Sequence, residues 1–102
     1  MNSMTTNQTS KYTDYIQIAQ TGHYPLFFDD WVFESMSKNQ LTSVVNANKM
    51  VKQVFSSLDR HQSTEKKRTA LLGMDKHERE EFIRSFFKVV EHELLKDLKS
   101  LQ

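Results

Sequence analysis

Residues 76–101 read KHEREEFIRSFFKVVEHELLKDLKSL, and this stretch decides the fold. At the 100° step of an α-helix, Phe82, Ile83, Phe86, Phe87, Val89, Val90, Leu94, Leu98 and Leu101 fall on about half of the circumference. Asp75 followed by Glu78 is a capping-box pattern with Asp in place of Ser or Thr. Acidic Glu78, Glu80 and Glu81 near the start and Lys96 and Lys99 near the end both suit the helix dipole. Glu80 and Arg84 are spaced for a favourable i,i+4 pair of about 0.2–0.5 kcal/mol. The apolar arc is wider than a two-stranded coiled-coil seam needs, so the helix must touch at least two neighbours. Arg79, Glu93 and Asp97 fall inside the arc, and Leu95 points away from it.

Upstream, the sequence supplies those neighbours. Ser63 or Thr64 can cap a short helix over 65–72, which stops at Gly73. Residues 59–64, DRHQST, form a polar connector. A helix is expected from Asn39 or Gln40 to Leu58 or Asp59. There Leu41, Val44, Val45, Asn48, Val51, Phe55 and Leu58 recur at 3 and 4 spacing, widened by Ala47 and Val54. Asn46, Lys49, Gln53 and Ser57 take the opposite side. A helix over 30–37, capped by Asp29 or Asp30, carries Trp31, Val32, Phe33 and Met36. Before it, Pro25 disfavours helical geometry at Tyr24. A first helix over 11–20, capped by Ser10, places Tyr12, Tyr15, Ile16 and Ala19 on one face and ends before Gly22. Residues 1–9 are polar and lack periodicity, so they are expected to be a disordered tail.

The composition agrees. Two Gly and one Pro among 102 residues give little of the turn chemistry an all-β fold requires, and seven Phe offer large buried areas. The expected fold is all-α: one domain over 10–102, a small irregular four- or five-helix bundle with a long C-terminal amphipathic helix.

The function classes are bounded mainly by exclusion. The net charge is +1, so no global field draws the chain to nucleic acid or acidic lipid. Without cysteine there is no disulfide, thiolate zinc site or Cys nucleophile. No apolar run approaches a membrane span, and the first ten residues lack the pattern of a secretory signal, so a cytoplasmic location is expected. His77 and Glu81 share a helix face but fall short of the three or four ligands of a zinc site. Neither a Gly-rich phosphate loop nor a nucleophile elbow occurs. Glu93 and Asp97 beside apolar residues have the setting of shifted carboxylates, but structural ion pairing accounts for them more simply. The reading is therefore that the chain is not an enzyme and uses no catalytic residue, metal or cofactor.

Two features point to a protein partner, and the chain is expected to be a homodimeric regulator or adaptor. The segment from Tyr24 to Phe33 concentrates aromatic side chains, with Phe27, Phe28 and Trp31 as candidate interface anchors. The end of the last helix, with Leu94, Leu95, Leu98 and Leu101, is the second candidate. The alternative is a DNA-associated regulator whose basic patch is Arg60, Lys66, Lys67 and Arg68. The acidic run that follows it weighs against that alternative.

Overall fold

The computed structural model describes residues 11–38 and 42–100. All regular structure among them is helical: α1, Tyr12–Ala19; α2, Asp29–Met36; α3, Val44–Leu58; α4, Thr64–Leu72; and α5, Lys76–Ser100. The expectations for Ser10 and for residues 1–9, Asn39, Gln40, Leu41 and Leu101 lie outside the described residues.

Helix α5 is the spine. Its main neighbour is α3, with α2 and α1 packed at its sides. Phe82, Ile83, Phe86, Val89 and Val90 are buried. They meet Ala47, Val51, Phe55 and Leu58 of α3, Tyr15, Ile16 and Ala19 of α1, Leu71 of α4, and Leu26, Phe27 and Trp31 in one cluster. A wide apolar arc thus gains more than one neighbour, as its width requires.

Aromatic edges knit the centre. Phe27 stands perpendicular to Phe86 at 5.1 Å and to Phe82 at 5.8 Å, and Phe82 lies 5.7 Å from Phe55. These edge-to-face pairs contribute about 0.5–1.5 kcal/mol each beyond the area they bury.

Local chemistry explains where the helices begin and end. Gly22, at φ 95°, closes α1. Its amide donates to Ala19 O, and the His23 amide donates to Ile18 O, the paired bonds of a Schellman motif. The Ser43 hydroxyl accepts from the Asn46 amide and the Ser63 hydroxyl from the Lys66 amide. Asp75 accepts from the amides of His77 and Glu78 at the head of α5.

Two boundary expectations and one facing assignment need correction. Helix α3 starts at Val44, not near residue 40, because Ser43 takes the cap. Val45 then turns outward and is exposed, out of the stripe it was assigned to. In α2 neither Asp29 nor Asp30 is the cap. Phe28 holds that position, and both carboxylates lie in the first turn, where the dipole favours them.

Candidate functional site

The aromatic segment divides. Phe27 and Trp31 are buried and belong to the core, which corrects their assignment as interface anchors. Phe28 remains 44% exposed, but its ring is occupied. Trp31 meets it edge-on at 4.8 Å, and the Arg68 guanidinium lies over it at 5.1 Å. On Trp31 the Arg79 guanidinium stacks at 4.6 Å. The result is a ladder in the order Arg68, Phe28, Trp31, Arg79, each step a cation–π or edge contact. It ties the loop before α2 to α4 and α5.

The basic cluster divides as well. Lys67 is 1% exposed, so it leaves the patch in which it was placed. Its stem is buried, and its ammonium donates to the His61 carbonyl in the middle of the connector. Arg68 donates to Pro25 O at 2.8 Å. Arg60 and Lys66 remain exposed, Arg60 with a bond to the Ser57 hydroxyl at 3.4 Å. Of four cations read as one nucleic-acid face, two are committed to internal carbonyls.

Glu93 pairs with Lys96 of its own helix at 3.6 Å. Together with Asp97, Tyr12, Gln17 and Asn48, it borders a cleft of about 610 Å³ between α1, α3 and α5. Among the described residues no group of three or more His, Asp or Glu side chains is arranged to hold a metal ion.

Glu80 was read as an i,i+4 partner of Arg84. It is buried instead, and Lys38 Nζ reaches its Oε1 at 2.6 Å. That hydrogen bond holds the carboxyl below its ordinary value of 4.5, against burial, which acts in the opposite direction. The charges of Lys38, Lys76 and His77 add to the lowering.

The end of α5 is different. From Phe82 to Val90 its apolar side chains are buried, apart from half-buried Phe87. Beyond Glu93 the pattern continues but the cover stops. Leu94 is 39% exposed, Leu95 52% and Leu98 57%. Leu94 with Leu98 is an i,i+4 pair and Leu95 with Leu98 an i,i+3 pair, so the three form one patch. Along the axis Glu91 and Glu93 precede it, Lys96 and Asp97 lie within it, and Lys99 follows.

Among the described residues no helix is long and apolar enough to cross a membrane. Comparison of the chain with protein-family models, with curated proteins and with solved structures gives no match.

Proposed function

We propose that this chain is a non-enzymatic protein-interaction module that pairs with a second copy of itself through the last turns of α5. The observation that carries the reading is the run Leu94, Leu95 and Leu98. It is exposed on a helix whose preceding apolar residues are almost all buried. A contiguous apolar patch at a helix end is a natural site of self-association.

The charges favour one geometry. Glu91 and Glu93 precede the leucines, Lys96 and Asp97 lie among them and offset each other, and Lys99 follows. In an antiparallel arrangement the acidic end of one copy meets the basic end of the other. A parallel arrangement sets like against like. Pairing about a two-fold axis lets one patch serve both partners. Covering three half-exposed leucines on each copy contributes on the order of 5 kcal/mol. The cost of association must be subtracted from that gain, so the dimer is weak and concentration-dependent.

Sedimentation velocity from about 1 to about 300 µM tests the reading. The wild-type chain should shift from monomer toward dimer across that range, and Leu95→Glu should stay monomeric with unchanged helicity. A wild-type chain that is monomeric throughout, or a Leu95→Glu chain that dimerises equally well, removes it.

A further inference from the structure

A second surface lies away from the leucine patch. Met50 and Val54 of α3, Ala70 at the end of α4, and Met74 before α5 line an open groove of about 530 Å³. All four are partly buried side chains that pack on the core from above. Their free sides form an apolar floor. Two thioethers in such a floor give it an adaptable shape, because Met is unbranched and changes rotamer readily.

The rim supplies the polarity. Glu78 and Glu81 of α5 border the groove, and no Lys, Arg or His does. Spaced i,i+3, these carboxylates stand on one face, one turn apart. Both are exposed, and neither forms an ion pair within 4.0 Å among the described residues. The neighbouring Glu80 shows the contrast, since it is buried on Lys38. An apolar floor with an anionic rim repels phosphate-bearing ligands and fits an apolar segment flanked by cations.

We propose that the groove formed by Met50, Val54, Ala70 and Met74 receives an amphipathic helix of a partner protein. Its apolar side chains enter between the two methionines, and its Lys or Arg side chains pair with Glu78 and Glu81. Helix-in-groove recognition uses apolar anchors at i, i+3, i+4 and i+7, and the groove volume holds only a few such side chains. The site is separate from the leucine patch, so it does not depend on self-association.

The probe is a fluorescein-labelled helical peptide of about 18 residues, built from Leu, Ala and Lys with leucines at i, i+3, i+4 and i+7. Its counterpart has every Lys replaced by Glu. Binding is read by fluorescence anisotropy and located by NMR of the Met50 and Met74 methyl groups, in both wild type and Leu95→Glu. The basic peptide should bind both proteins and shift both methyl signals. The double variant Glu78→Lys, Glu81→Lys should weaken it by at least about tenfold. The acidic peptide should not bind the wild type. Absence of binding, methyl shifts without the charge dependence, or binding that leaves Met50 and Met74 unmoved each overturns the proposal. So do Met50 and Met74 shifts that depend on protein concentration alone, which would assign the groove to a second copy.

Discussion

The guanidinium of Arg79 on α5 stacks 4.6 Å from the ring centre of Trp31 on α2 and, through the same group, reaches the carbonyls of Leu71 and Leu72 on α4 at 3.4 Å each. One side chain thereby joins three helices. It adds a side-chain donor to two carbonyls at the end of α4, where the Leu71 carbonyl also accepts from the Met74 amide at 3.1 Å. Arg79→Lys keeps the charge but loses the planar stack and the fork of donors. A destabilisation of about 1–2 kcal/mol is expected in urea titration, with Arg79→Ala at least as costly. A change under about 0.5 kcal/mol for both variants would show that the junction contributes little.

Lys66 and Lys67 are adjacent and should differ sharply. Lys67→Ala removes a buried stem and the ammonium that bonds the His61 carbonyl. The expected loss is about 2–4 kcal/mol. Lys66 is exposed, and Lys66→Ala should stay within about 0.5 kcal/mol of wild type. Thermal melts of the two variants side by side decide the matter, and equal behaviour would contradict the burial of Lys67.

Glu80 should make stability depend on pH. Its carboxyl is held below its ordinary value of 4.5 chiefly by the hydrogen bond from Lys38. A group whose folded value is depressed stabilises the fold fully above the unfolded value, and that contribution is lost as pH falls through the folded value. The stability gap between wild type and Glu80→Gln should therefore be widest near pH 6 and shrink toward about pH 3. A gap that is constant with pH would remove the link to this carboxyl.

Phe27 and Phe28 give a test of the aromatic segment. Phe27→Ala deletes a buried ring that meets Phe82, Phe86 and Phe87. About 3–5 kcal/mol is expected. Phe28→Ala loses a half-exposed ring and the seat of Arg68, and should cost distinctly less. Denaturant midpoints of the two variants measure the difference.

The final helix was legible because Phe82, Phe86 and Val89 repeat at 3 and 4 spacing, and tertiary burial follows that period. Gly22, Ser63 and Asp75 were legible for local reasons, since each acts within a few residues of itself. The start of α3 was not, because Thr42 and Ser43 sit inside an apolar-periodic run and the cap competes with continued helix. The burial of Lys67 was hidden in a charged run, EKKR. Its only signal is the i,i+4 spacing to Leu71, which places both on the inner face of α4. Glu80 depends on Lys38, 42 residues away, and no local pattern reveals such a pair. At the candidate surface the leucines were visible, but their exposure depends on how far α1, α2 and α3 reach along α5. The Met50 and Met74 groove required three helices to come together.

Helix α4 buries only Leu71 and the stem of Lys67. It is fastened instead by directional bonds: Lys67 to His61 O, Arg68 to Pro25 O, Arg79 to its terminal carbonyls, and the Thr64 hydroxyl to Tyr15 at 2.8 Å. Detaching such a helix exposes little apolar surface. Its amide exchange should therefore proceed through an opening almost insensitive to denaturant, while exchange in α3 and the first half of α5 follows global unfolding with a steep slope. The molecule would then contain two cooperative units of unlike chemistry, one closed by solvent exclusion and the other latched by hydrogen bonds.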